Sequence, residues 1–143
     1  MIAEGGGPGM TLSMVPIGSV HRQDDRVWID IAPEYADGLL GLEGFSHIHV
    51  IYWFHENDTP DQRAMLHVHP RKDPANPLTG VFATHSPKRP NLVALTLCRV
   101  LEIAGTQITV SGLDAREGSP VIDIKCYIPY DVAAGDISVP WWV

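Results

Sequence analysis

Apolar and polar residues alternate along this chain in short runs, a pattern typical of half-buried β-strands. The clearest run, RVWIDI at 26–31, places three aliphatic side chains on one face. A longer run at 45–55 places every second residue from Ile48 to Phe54 on one face and three histidines on the other. Further strands are predicted over Val15–Val20, Val81–Thr84, Leu92–Ile103, Gln107–Ser111 and Val121–Ile124.

Helical signals are few. A turn or two is expected from Pro33 to Leu42, ended by Gly44, and a long polar excursion with four prolines covers 56–79. Many short strands without β-α-β alternation favour a mainly β protein, a single small β-barrel with short helical turns and one long loop excursion. We expect a flexible N-terminal tail over residues 1–12 and a single barrel domain over residues 13–143.

Composition narrows the functional classes. The 143 residues are 45% hydrophobic and carry a net charge of −7, with a pI of about 5.3. That sign disfavours a general nucleic-acid-binding protein, because lysine and arginine usually supply most of such affinity. The sequence has no apolar run of membrane-spanning length and no secretory signal at its start, so we expect a cytoplasmic protein without a membrane partner.

The histidines raise the question of a metal. His47, His49 and His55 share one face of the predicted 45–55 strand, and His67 and His69 repeat the two-residue spacing. Such pairs occur in metal sites, but a closed site needs three or four converging ligands. Hydrogen-bonded surface histidines are commoner, so no metal is predicted, and a metal-binding or nucleoside-binding module without catalysis stays open as an alternative.

The loop that follows Val81 to Ala83 is rich in donors and braced by Pro87 and Pro90, which fix φ and favour extended neighbours. Its rigidity would give the side chains defined directions, as suits an anionic or polar ligand. The alternative is a rigid connection whose arginine and asparagine satisfy local carbonyl groups. The polar residues concerned are Thr84, His85, Ser86, Arg89 and Asn91.

Three segments carry a family resemblance: PEYADGLLGLEGFSHIHVIYWFH, GVFATHSPKRPN and GLDAREGSPVIDIKCYIPY. In that order they resemble the TsaA-like (TrmO) family, from about Val15 to Tyr130. The resemblance implies a β-barrel methyltransferase that uses S-adenosylmethionine, acting as a homodimer with the cofactor near the subunit interface. The implied reaction methylates N6 of threonylcarbamoyladenosine beside the tRNA anticodon.

The resemblance also implies cofactor contacts, although the chain departs from the family pattern at several positions. The family arginine after F-A-T is His85 here, and the tryptophan after H-I is His49. The N-terminal loop is shortened, so no role is transferred to Arg22 or Gln23. The implied contacts are His55, Glu56, His85, Leu95, Ser111, Gly112, Leu113 and Asp114.

Candidate catalytic residues are Glu56, His85 and Asp114, because a carboxylate or ring beside the sulfonium would stabilise its charge. Glu56 could equally be a solvated strand end and Asp114 a turn residue. For the acceptor, the candidate substrate-binding residues are Arg71, Lys72, Lys88, Arg89 and Asn91. The four cations among them would form one patch if the excursion meets the proline-braced loop. A small molecule or another acceptor that is not tRNA remains an alternative substrate.

Overall fold

The fold is a closed β-barrel, seen in a computed structural model that describes residues 9–143, the side chain of Asp131 excepted. The strands are β1 Gly18–Gln23, β2 Arg26–Ile31, β3 His47–Trp53, β4 His67–Val68, β5 Thr79–Gly80, β6 Val93–Ala104, β7 Gln107–Ser111 and β8 Pro120–Cys126. Six of them close the barrel in the order β1-β2-β7-β6-β3-β8, and β4 pairs with β5 apart from it. The predicted fold class is confirmed.

Short helical elements fill the connections. The α-helix α1 spans Pro60–Arg63, and the 3-10 turns are Pro33–Leu39, Leu42–Gly44, His55–Asn57, Pro70–Lys72, Val81–Ala83 and Pro129–Asp131. Within residues 9–143, no helix is long and apolar enough to cross a membrane. The predicted flexible tail lies outside the described residues up to residue 8, and residues 9–12 form no helix or strand.

The alternating side chains produce the barrel core. Ile29 of β2 and Ile48 and Val50 of β3 are fully buried, because each pleated strand turns alternate residues inward. Ile108 of β7 and Val121 of β8 join them from the other strands. Burying one aliphatic side chain of this size contributes about 1.5–3 kcal/mol, so this inward row holds the closed barrel together.

The predicted strand at 81–84 is wrong. Val81–Ala83 forms a 3-10 turn, closed by the amide of Thr84 donating to the carbonyl of Val81. Val81 is buried, whereas Phe82 beside it is 80% exposed. An apolar triplet does not distinguish a strand from a turn, and strand pairing here ends at Gly80 opposite His67.

The other predicted elements shift only at their ends. β1 starts at Gly18 instead of Val15 and continues to Gln23, because its partners in β2 run from Ile31 to Arg26. β3 is two residues shorter at each end than the strand predicted over 45–55. His55, the last residue of the predicted strand, begins a 3-10 turn instead.

Gly18 is required by the close approach of β1 to β2. A Cβ at this position would overlap the carbonyl oxygen of Asp30, which belongs to the sheet backbone and cannot move aside. We expect Gly18→Ala to lower the free energy of unfolding by about 1–3 kcal/mol in urea denaturation. Gly38→Ala is the matched control, since nothing lies within 4 Å of its Cβ. Equal losses in the two variants would contradict this account.

Candidate functional site

A cleft of about 180 Å³ opens beside the C-terminal end of β3. Four segments meet there: the residues where the chain leaves β3, the loop that joins β7 to β8, and the two proline-rich loops that carry Lys72 and Pro87. Its lining is formed by Tyr52, Phe54, His55, Glu56, Asn57, Lys72, Pro87, Asp114, Ala115, Arg116 and Ser119. A wider concavity of about 550 Å³ shares Glu56 and Asp114 with the cleft and adds Arg22 and Glu117.

Asp114 is anchored at the cleft by a tyrosine from the barrel interior. The hydroxyl of Tyr52 donates to Asp114 Oδ1 at 3.1 Å and lies 3.4 Å from the hydroxyl oxygen of Thr96. Tyr52 is buried, and burial together with the Asp114 charge raises the pKa of its hydroxyl. The phenol therefore stays protonated at neutral pH and remains a donor that orients the Asp114 carboxylate.

Both signs of charge are present around the cleft. Glu56 Oε1 pairs with Arg116 Nε at 3.0 Å, and both side chains are largely exposed, so the pair adds little stability. Lys72 brings a second cation to the lining and Asp114 a second carboxylate. The cleft can therefore receive a ligand that carries separate positive and negative groups, with Tyr52 and Phe54 offering aromatic surface.

Lys72 is presented by a compact and strained loop. Arg71 and Lys72 have φ of 59° and 57°, a left-handed conformation that costs non-glycine residues energy. The buried side chain of Asn76 donates to the carbonyl of Pro70 at 2.9 Å, and the ring of His69 bonds the Asn76 carbonyl at 2.8 Å. These bonds hold the strained segment in place with both cations exposed.

The predicted cofactor residues do not all lie in the cleft. His55, Glu56 and Asp114 line the cleft. Leu95 projects from the outside of β6, opposite Ile51, and is 60% exposed. Of the remaining residues, Leu113 is buried in the core, whereas His85, Ser111 and Gly112 are exposed.

The predicted substrate patch is only partly assembled. Lys72 from the excursion and Pro87 from the proline-braced loop line the same cleft, so these two loops do meet. Arg89 turns back on its own loop, donating to the carbonyls of Thr84 and Ser86 at 3.1 Å each. That contact supports the rigid-connection interpretation for Arg89. Arg71 and Asn91 are exposed and Lys88 is half-buried, and none of the three lines the cleft.

The histidines do not converge on one point. His47 and His49 lie on the outside of β3, with ring centroids 6.1 and 5.7 Å from that of Tyr127. Across the part of the chain that the structure describes, no three histidine, cysteine, aspartate or glutamate side chains are grouped so as to hold a metal ion.

Three side chains at the site were not singled out from the sequence. Tyr52 was assigned only to the inward row of β3, where its hydroxyl among aliphatic neighbours was the available signal. Arg116 gave no signal, since its partner Glu56 is far away in the sequence. Arg22 was given no role because the loop around it is shortened, and its partner Leu113 is also far away in the sequence.

The buried thiol of Cys98 is expected to make the free energy of unfolding decrease in the alkaline pH range. Burial, with a smaller contribution from Asp114, raises the pKa of Cys98 from 9.0 to about 11. The stability from the neutral thiol is therefore complete below pH 9 and is lost as pH rises towards 11, because the unfolded chain ionises first. We expect the free energy of unfolding to fall less steeply from pH 9 to 11 in Cys98→Ala than in the wild type. Cys126→Ala, at a half-buried cysteine, is the control, and parallel curves for Cys98→Ala and the wild type would contradict the assignment.

Known proteins resemble this chain in sequence and in fold. Residues 10–132 match the family described as the tRNA-methyltransferase O N-terminal domain. A probable S-adenosyl-L-methionine-binding protein of Pyrococcus horikoshii is 46% identical over 114 residues, which are 80% of this chain and 81% of that protein. A human tRNA (adenine(37)-N6)-methyltransferase is 44% identical over 96 residues, 67% of this chain and 21% of that protein.

Solved structures agree with the sequence match. The crystal structure of TrmO from Pseudomonas aeruginosa superposes with a TM-score of 0.71 at 27% identity, covering 93% of this chain. This chain spans 62% of that TrmO chain, so it corresponds to part of the larger protein. With the family match extending over most of its length, the chain belongs to the family of the tRNA-methyltransferase O N-terminal domain.

Proposed function

We propose that the chain is an S-adenosylmethionine-dependent methyltransferase that uses the cleft beside β3 to hold the methyl donor. The observation that carries this proposal is the charge pattern of the lining, where Glu56 and Asp114 lie near Lys72 and Arg116. S-adenosylmethionine carries a sulfonium, an ammonium and a carboxylate, and this lining offers a partner of opposite sign to each. Tyr52 and Phe54 add ring surface suited to an adenine.

The chain's own residues then act mainly by positioning. When bound, S-adenosylmethionine supplies an already activated methyl group, so in-line placement of the acceptor accounts for much of the rate. Asp114, oriented by the Tyr52 hydroxyl, provides fixed negative charge for the sulfonium. The nitrogen that gains the methyl group loses a proton, and Glu56 of the cleft lining can accept it.

For the acceptor we propose tRNA, at N6 of threonylcarbamoyladenosine next to the anticodon. With this acceptor, we also propose that the reaction takes place in the cytoplasm. Support comes from the mammalian relatives, whose names specify tRNA adenine 37 and its N6 atom. The net charge of −7 opposes general phosphate binding. Contacts to the tRNA backbone would therefore depend on local cations. Arg71, Lys72 and Lys88 lie on the two proline-rich loops that contribute Lys72 and Pro87 to the cleft.

We further propose that two copies form the working unit. The outer β3–β6 face consists of Ile51, Trp53, Val93, Leu95 and Leu97. Ile51 pairs with Leu95 and Trp53 with Val93, whereas Leu97 lies opposite the polar ring of His49. Leu95 belongs to the implied cofactor contacts, yet it lies on this face and does not line the cleft. A second copy docked on the face would bring Leu95 of one subunit towards a cofactor held by the other, which accounts for both facts.

The test is methyl transfer from radiolabelled S-adenosylmethionine into tRNA, assayed with the purified chain over a series of salt concentrations. Label in the N6-threonylcarbamoyladenosine nucleoside, with affinity that falls as salt rises, is the expected result. Cofactor binding without any transfer to tRNA would redirect the proposal to a small-molecule acceptor. A chain that binds no cofactor at saturating concentration would instead support a non-catalytic module.

A further inference from the structure

Arg22 of β1 reaches across to the loop that carries Asp114. Its Nη1 atom donates to the carbonyl oxygen of Leu113 at 2.7 Å and to that of Ala115 at 2.8 Å. These two carbonyls flank Asp114 on either side. One charged group therefore fixes the peptide that precedes Asp114 and the peptide that follows Ala115, which restrains the backbone on both sides of the Asp114 side chain. Hydrogen bonds from a charged donor are among the stronger ones.

Other contacts tie β1 to the later part of the same loop. The amide of Arg22 donates to Glu117 Oε2 at 3.2 Å, and the ring of His21 bonds Glu117 Oε1 at 3.3 Å. The amide of Gly118 donates to the carbonyl of Val20 at 2.8 Å. These bonds hold residues 117 and 118, whereas the guanidinium of Arg22 bonds the carbonyls of Leu113 and Ala115 on either side of Asp114.

The position of Arg22 separates this role from barrel stability. Arg22 is exposed and lies outside the apolar core, so truncating it leaves no cavity among the buried residues. Its guanidinium also lines the wider concavity next to the cleft, together with Glu56 and Asp114. Loss of the side chain should therefore affect the loop and the ligand it receives more than the fold.

We infer that Arg22 is a positioning residue for the cleft, holding segment 113–115 so that the Asp114 carboxylate faces the methyl donor. The inference rests on the proposed function, because it assigns Arg22 to the same site. Arg22 does not touch the donor in this account. It acts through its hydrogen bonds to the two carbonyls. Without these bonds segment 113–115 samples other conformations before the donor binds, which lowers the affinity for the donor.

The test compares Arg22→Ala with the wild type by calorimetry, using S-adenosylmethionine and S-adenosylhomocysteine. We expect affinity for both to fall about tenfold, the effect of losing hydrogen bonds from one charged group. Arg22→Lys should recover part of the loss, because an ammonium can still donate to both carbonyls. Arg26→Ala is the control. Arg26 lies on β2, opposite Gln23 of β1, and is also exposed, but its guanidinium bonds Gln107 and Thr109 instead of the loop.

Amide hydrogen exchange supplies a second measurement that does not depend on ligand binding. Exchange across residues 113–116 should accelerate in Arg22→Ala, while residues 117 and 118 and the strands of the barrel keep wild-type protection. Wild-type affinity in Arg22→Ala would overturn the inference, as would unchanged exchange of the loop. If the wild type itself binds neither ligand, the proposed function fails, and the exchange data alone decide whether Arg22 holds the segment.

Discussion

Replacing Asp114 with alanine is expected to weaken the binding of S-adenosylmethionine by about 10- to 100-fold, the range for losing a charge-assisted contact. The carboxylate lies in the cleft, and its Oδ1 is held by the Tyr52 hydroxyl. Removing it takes away fixed negative charge and leaves the buried phenol without its ionic acceptor. Calorimetry with the purified variant measures the effect directly.

A second substitution separates charge from hydrogen bonding at the same position. Asp114→Asn keeps an acceptor for the Tyr52 hydroxyl but removes the charge, so it should weaken S-adenosylmethionine more than S-adenosylhomocysteine, which has a neutral sulfur. Asp123→Ala on β8 is the matched control, because this exposed carboxylate lies away from the cleft lining. If Asp114→Ala bound the cofactor as tightly as the Asp123 variant, Asp114 would have no place in the site.

Replacing Leu97 with aspartate is expected to convert the proposed dimer to monomers at micromolar concentration. Leu97 lies opposite His49 on the outer β3–β6 face and is 45% exposed in the single chain. In a two-fold symmetric interface the substitution occurs in both copies, so two unpaired carboxylates lose their hydration at once. Such a charge costs several kcal/mol, which exceeds the tolerance of most interfaces.

Light scattering coupled to size exclusion measures the change in mass. Leu40→Asp is the control, since Leu40 is 93% exposed and lies in the connection between β2 and β3 and not on the outer face. A wild type that elutes as a monomer would contradict the dimer, and a Leu97→Asp protein that stays dimeric would move the interface to another face. If Leu95 contacts the cofactor held by the partner subunit, the rate of methyl transfer should also be lower in the Leu97→Asp variant than in the wild type.

The strands could be predicted where the residue pattern that defines them lies within the strand or in the turns next to it. Alternation at 26–31 sets β2 and its buried face, because period two is a property of each strand by itself. Turn residues likewise bounded β7, whose predicted limits are those observed. The error at 81–84 arose because Val81 is buried within a 3-10 turn, where its amide bonds the carbonyl of Leu66. A run of three apolar residues contains no information about that partner.

The site was predictable only in part, for the same reason. The family resemblance led to His55, Glu56 and Asp114, which do meet at the cleft. It could not indicate that Tyr52 and Arg22 orient Asp114, since those contacts join residues 62 to 93 positions apart. The resemblance also placed Leu95 with the other cofactor residues, and the barrel instead separates it onto the outer face.

The most direct test of the account is a crystal structure of the full chain with S-adenosylhomocysteine bound. We expect the ligand in the cleft beside β3, with its sulfur towards Asp114, its carboxylate towards Lys72 or Arg116, and its adenine against Tyr52 or Phe54. A ligand bound on another part of the barrel, or a cleft left empty at saturating concentration, would contradict the central claim.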